Sequence, residues 1–353
     1  MASWVRWLED LSLEEFTTFG RKCVNLGKMI QDGMPVPPGF AISTDSYEYF
    51  ARQAGIHQKI SDFLRSNPGA TQTDQIEETS KAVREMICGK QMPEELAKEI
   101  TRFYKGLCER TETGNVEVAV RSSGAISMPG QFESYLFVSG IDEVTRKVID
   151  CWASSFTARA MVSRMEKGMK IEESPIGVAV LKMVNSSCSG IMFTINPITE
   201  DRSKTVIEAN WGLGESVALG TTTPDWFKVN RITLEIEEKK LGDKTKEVVF
   251  DREKGGTKEV DVPQERREAF CVSDEEIKRV AILGDKVEEY FGGEPQDIEW
   301  AIDRDLPKDK NLLLVQTRPE KTWALKKDKQ VSTQKGSAID RIVDLVTEGV
   351  KVE

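Results

Sequence analysis

Glu299, Gln316 and Arg318 occupy polar positions in two otherwise apolar, strand-like segments, Asp297-Ile298-Glu299-Trp300 and Leu314-Val315-Gln316-Thr317-Arg318. Alternate residues of a strand share a face, so if these strands pair they gather two oxygen ligands and a guanidinium on one side. Hard oxygen donors suit Mg²⁺ and a guanidinium suits phosphate, which makes phosphoryl chemistry the expectation. Two further cations point the same way. In Gly20-Arg21-Lys22-Cys23-Val24-Asn25-Leu26-Gly27 a glycine and Lys22 open an apolar-periodic helix, whose first N–H groups favour anions. Arg121 follows the alternating Val116, Val118 and Val120 and precedes a loop, Ser122-Ser123-Gly124-Ala125-Ile126-Ser127-Met128-Pro129-Gly130, rich in hydroxyls and backbone donors. A fixed cation beside adaptable donors is what a polyphosphate requires. Taken singly, each stretch also has an ordinary reading, a surface lysine at a helix start or a wide turn. Trp211-Gly212-Leu213-Gly214-Glu215, after a strand ending Ile207-Glu208-Ala209-Asn210, admits close approach of a ligand.

Other chemistries are excluded by what the chain lacks. His57 is the only histidine, which removes Ser-His-Asp catalysis and histidine-rich metal sites, and its polar helical setting gives it no role. Six cysteines are spread without a CxxC pair, so reduced thiols are expected rather than zinc sites or a disulfide framework. The lysine loop is not a GxxxxGK[ST] phosphate loop. With Lys+Arg 49 against Asp+Glu 59, the net charge of -10 argues against a broad grip on nucleic acid or an anionic membrane. No apolar run approaches a membrane span, and charge interrupts the N-terminus before a signal-peptide core forms, so a cytoplasmic location is expected.

The elements that must position these residues can be read from periodicity. At 353 residues the chain has room for two or three packed units. Helical spacing marks 44–53, 74–87, 93–108 and 142–165, around an extended proline loop at 33–39. From Val116 onward strand-like runs dominate: 176–184, 190–194, 204–209, 227–229 and 232–237, which suggests a largely antiparallel sheet. Between Glu235 and Glu268, 20 of 34 residues are charged, so this stretch is expected to run over the surface as a solvated hairpin. Ser273 and Glu276 form a capping box opening a helix to Phe291. Strands at 297–302 and 312–316 come next, then a Lys-rich linker and a short amphipathic helix at 337–353, read as folding back on the body or docking on another chain.

In order and wording, these motifs resemble the nucleotide-binding half of the phosphoenolpyruvate synthase, pyruvate phosphate dikinase and rifampin phosphotransferase family, over about residues 12–320. The markers are Gly20 to Gly27, Val36-Pro37-Pro38-Gly39-Phe40, Val120 to Ser123, Ser189-Gly190-Ile191-Met192-Phe193-Thr194, Gly212 to Glu215, and Asp297 to Trp300 with Gln316 to Arg318. The resemblance implies an α+β, ATP-grasp-like fold: a helical N-terminal subdomain (1–175) with a mixed or antiparallel sheet, an antiparallel-sheet subdomain (176–320), nucleotide between them, and a C-terminal linker and helix (321–353). It implies that Lys22, Arg121, Ser122 and Ser127 contact ATP phosphates, that Glu299 and Gln316 bind Mg²⁺ with Gln316 also on the nucleotide, and that Arg318 stabilises the transferring group. Lys182 and Val184 would belong to an adenine hinge, with Glu208 a nearby polar partner; Leu181 replaces the glutamine expected there.

Relatives of this kind carry a phosphoryl-accepting histidine on a mobile domain, and this sequence has none. The resemblance therefore implies one subunit of a split enzyme, with a phosphohistidine-bearing catalytic partner that also binds the small-molecule acceptor, and with room for a further regulatory subunit. The arrangement it most resembles is phenylphosphate synthase of anaerobic phenol degradation. There the β,γ-diphosphate of ATP passes to the partner histidine, and phenol is phosphorylated with release of AMP and phosphate. A split pyruvate- or phosphoenolpyruvate-forming dikinase and a non-catalytic ATP sensor are the alternatives.

Overall fold

The computed structural model describes residues 3–67, 69, 71–72, 75–124, 133–171, 176–251, 253 and 255–320. Ser127 and the expected C-terminal linker and helix lie outside them. The described residues divide into two compact units, the first lying within Met1–Asn185, Val248–Val260 and Ile302–Leu313, the second within Ser186–Glu247, Asp261–Ala301 and 314–320.

In the first unit the elements run β1 (Val5–Trp7), α1 (Phe16–Gln31), β2 (Gly39–Ile42), α2 (Thr44–Gln53), α3 (Ile56–Ser66), α4 (Ile76–Cys88), α5 (Glu94–Arg110), β3 (Val118–Ser123), β4 (Ser134–Val138), α6 (Ile141–Ser154), α7 (Ala158–Glu166) and β5 (Gly177–Lys182). The strands form one sheet in the order β1-β2-β5-β3-β4, with antiparallel pairing throughout. Its apolar residues join those of the helices in a core holding Phe40, Tyr47, Phe50, Trp152 and Val180. The single helix expected over 142–165 is two. Ser154 and Ser155 turn their hydroxyls back onto the carbonyls of Cys151 and Trp152, and Thr157 caps the second helix by accepting from the Ala160 N–H. Hydroxyl side chains that compete for backbone partners end one helix and begin the next.

The second unit is built on a six-stranded sheet. The chain continues with β6 (Ser186–Phe193), β7 (Lys204–Trp211), α8 (Glu215–Leu219), β8 (Asp225–Asn230), β9 (Ile236–Lys240), the hairpin β10 (Lys246–Phe250) and β11 (Thr257–Asp261), most of which belongs to the first unit, then α9 (Gln264–Arg267), α10 (Asp274–Tyr290), β12 (Gln296–Asp303) and β13 (Leu312–Pro319). The order is β13-β12-β6-β7-β8-β9, with β10 and β11 as a separate hairpin. Three successive hairpin pairs, β6 to β9, are antiparallel. Helix α10 opens with the capping box Ser273–Glu276 and buries Ile277, Val280 and Val287. The architecture is α+β, with a helix-rich N-terminal part and antiparallel sheets of the ATP-grasp-like kind.

The highly charged stretch 235–268 departs from a purely solvated hairpin. Lys244 is fully buried, and its Nζ lies 2.6 Å from Oδ1 of the equally buried Asp225. Asp225 also accepts from the Gly242 and Cys271 N–H groups, so the carboxylate is satisfied where it is desolvated. Glu247 is buried against Arg266 by two bonds. Charge density alone predicts solvent exposure; specific partners, Asp225 for Lys244 and Arg266 for Glu247, reverse it at these positions.

Candidate functional site

Lys22 owes its place to a break in α1. Gly20 has φ 79° and ψ 155°, which interrupts the helix and makes Lys22 a first-turn residue of the helical stretch beyond the break. A Cβ at Gly20 would lie 2.0 Å from the Ser123 carbonyl oxygen, so only glycine lets the helix start meet the end of β3. There the Arg21 N–H donates to the Gly124 carbonyl at 3.1 Å, and the Cys23 N–H donates to Ser123 Oγ at 3.1 Å. Helix start and strand end are thus latched together, with half-buried Lys22 on one and half-buried Arg121 on the other. Burial pushes the Cys151 thiol of α6 up, and both Lys22 and Arg121 oppose that shift with their positive charge. One buried thiol feels both cations, so the structure brings the two together. Ser122 is buried beside Arg121.

At the expected hinge, Val184 is buried. Lys182 Nζ lies 3.0 Å from Oδ2 of the fully buried Asp303, an ion pair that fixes its direction.

In the second unit Glu208 stands on β7, paired with Ile191 of β6 and Trp226 of β8. Burial raises its carboxyl above the usual range. Gly190 of β6 allows the close approach of these strands, since a Cβ there would sit 1.8 Å from the Glu208 carbonyl oxygen.

The last two strands gather the acidic and cationic groups. Gln316 Nε2 reaches Glu299 Oε1 at 3.4 Å, and Arg318 Nε donates to Asp297 Oδ2 at 2.7 Å. Thr317, between them, turns to Gln296 instead. The i, i+2 alternation therefore places Asp297 and Glu299 on β12 and Gln316 and Arg318 on β13 on one face. Asp297 is the residue that sequence reasoning passed over. Its alternation with Glu299 was visible, but its tie to Arg318 depends on strand register. Its Oδ1 is buried without a hydrogen-bond partner among the described residues.

Among the described residues no three histidine, cysteine, aspartate or glutamate side chains cluster to hold a metal by themselves. One carboxylate and one amide oxygen, beside the orphaned Asp297 Oδ1, nevertheless fit Mg²⁺, which keeps waters and takes phosphate oxygens as ligands.

The pyruvate phosphate dikinase AMP/ATP-binding domain matches residues 17–338. The chain belongs to that family. Among similar proteins are probable phosphoenolpyruvate synthases of Staphylothermus marinus, 38% identical over 93% of this chain and 42% of the relative, and of Methanocaldococcus jannaschii, 38% identical over 95% of this chain and 28% of the relative. The phosphoenolpyruvate synthase of Pyrococcus furiosus is 38% identical over 89% of this chain and 43% of its own length. The chain thus spans less than half the length of these curated relatives. As a dikinase AMP/ATP-binding domain it is expected to take ATP, and no helix among its described residues is long and apolar enough to cross a membrane.

Proposed function

We propose that this domain binds Mg·ATP and presents its β,γ-diphosphate to a histidine carried outside these 353 residues. The observation that carries the reading is the face shared by Asp297, Glu299, Gln316 and Arg318. His57 is the only histidine, and its ring nitrogen is engaged by Glu48 at 3.0 Å, so the acceptor is sought elsewhere. Mg²⁺, when bound, neutralises phosphate charge and orients the chain of phosphates. Lys22 and Arg121 hold phosphate oxygens by charge-assisted bonds. Glu299 and Gln316 would hold the metal, and Arg318 stabilises charge on the group in transit. Lys182, Val184 and Glu208 are assigned to the adenine end. Phosphoryl transfer rests on such positioning and electrostatics.

The histidine nitrogen attacks the β-phosphorus and AMP leaves; hydrolysis of the resulting diphosphohistidine releases phosphate and leaves phosphohistidine. By resemblance to phenylphosphate synthase, a partner subunit would carry the histidine and phenol would be the final acceptor. The similarity to phosphoenolpyruvate synthases favours pyruvate as a second reading. Following β- and γ-labelled ATP with the histidine-bearing partner, and adding phenol or pyruvate in turn, tests both. AMP formation with β-label on the partner supports a dikinase, and the substrate that removes the label names the acceptor. Accumulation of ADP would sink the dikinase reading. Arg318→Ala should cut turnover to a small residue while ATP binding persists.

A further inference from the structure

Arg164, on α7, is 1% exposed, and its Nε, Nη1 and Nη2 all lack an acceptor among the described residues. The guanidinium lies over the Phe156 ring, 4.9 Å from its centroid. Among the described residues, the ionisable group that acts on it is Tyr47 of α2, itself fully buried and with a hydroxyl that finds no partner among them either. Trp152 of α6 meets the Tyr47 ring edge-on at 5.8 Å, and its indole N–H is likewise without a partner among the described residues. Three helices of the first unit thus bring donors into one part of the core: five guanidinium N–H groups, a phenol and an indole.

Charge balance decides what would satisfy them. Burial lowers the Arg164 pKa to about 10, which leaves it a cation at neutral pH. A buried cation is ordinarily paired, because the desolvation cost is large. Water can accept from the donors but leaves the charge unbalanced, whereas an anion meets both needs. Phosphate groups are bulky and multiply charged, and the Lys22–Arg121 pair already offers them a place.

We infer that the core of the first unit binds one small monovalent anion, of the halide class, on the Arg164 guanidinium and the Tyr47 hydroxyl, with Trp152 as a neighbouring donor. The ion ties α7 to α2 and is separate from the ATP contacts.

The test is thermal and chemical unfolding of the whole chain at constant ionic strength, with chloride or bromide replaced stepwise by gluconate. One bound ion predicts that the unfolding constant falls tenfold for each tenfold rise in halide above its dissociation constant. Arg164→Met should remove that slope. Tyr47→Phe, which keeps the ring, should shift the dependence to higher halide, and it serves if the arginine variant does not fold. Crystals grown with bromide should show its anomalous signal within hydrogen-bond reach of the guanidinium. Indifference of the native chain to halide, or no bromide at Arg164, overturns the inference.

Discussion

Asp297→Asn keeps the shape of the side chain that holds Arg318 and removes its charge. The bond it weakens is a 2.7 Å contact from Arg318 Nε to Oδ2, between a carboxylate with 11% of its side chain exposed and a guanidinium with 37% exposed. A charge-assisted bond is worth about 1.5–3 kcal/mol when fully desolvated. Solvent at Arg318 screens part of this, leaving about 1–2 kcal/mol. If the pair serves to aim Arg318 at the group in transit, that energy appears in the barrier, and kcat falls about 5- to 30-fold. The assay is AMP formation with the histidine-bearing partner, beside calorimetric ATP binding, which should stay within about twofold since the lost energy is assigned to the barrier. A double-mutant cycle makes the reasoning strict. In an Arg318→Ala background Asp297→Asn should have no further effect on residual turnover, because its partner is gone. Equal and additive losses in both backgrounds, or a fall in ATP affinity matching the fall in kcat, would refute the positioning role.

Gly20→Ala should cost at least about 1–3 kcal/mol from the backbone conformation alone, with the clash against Ser123 added; urea unfolding measures it, and ATP affinity should drop with it because Lys22 moves. Glu208→Gln should raise the melting temperature at pH 7–8. The raised carboxyl means that its burial penalty is present above the folded pKa and vanishes as pH falls below the ordinary glutamate range, so the two proteins should converge near pH 4; a difference that persists there would reject desolvation as the cause. Lys244→Met leaves Asp225 buried and stripped of its cation, at a cost of about 3–5 kcal/mol. Calorimetry that finds the variant as stable as the native chain would show the pair to be dispensable.

How far the sequence could be read depended on whether the relevant interaction was local. The capping box at Ser273 and Glu276, the strand-like alternation into Arg121 and the i, i+2 alternation of Gln316 with Arg318 are short-range patterns, and the structure has each of them. The break at 155–157 is also local, but serine and threonine are tolerated inside helices, so periodicity alone carried the helix through. Asp297, Lys244 and Arg164 were out of reach for another reason. Each is defined by a partner or, among the described residues, an absence of partners: Arg318 across a strand pair, Asp225 nineteen residues away, and an apolar core around a residue whose own segment, Val162-Ser163-Arg164-Met165-Glu166-Lys167, looks like a solvated face. Charge in a sequence predicts exposure until a long-range contact reverses it.

The latch between the helix start at Gly20 and the end of β3 has a bearing on recombination. Because the Arg21 and Cys23 N–H groups end on Gly124 and Ser123, the stretches 20–27 and 118–124 behave as one cassette although about a hundred residues separate them. Exchanging either stretch alone with a relative would mismatch the seam and displace both cations at once. Moving the two together would carry the seam across intact, so chimeras of this domain are best cut outside the pair.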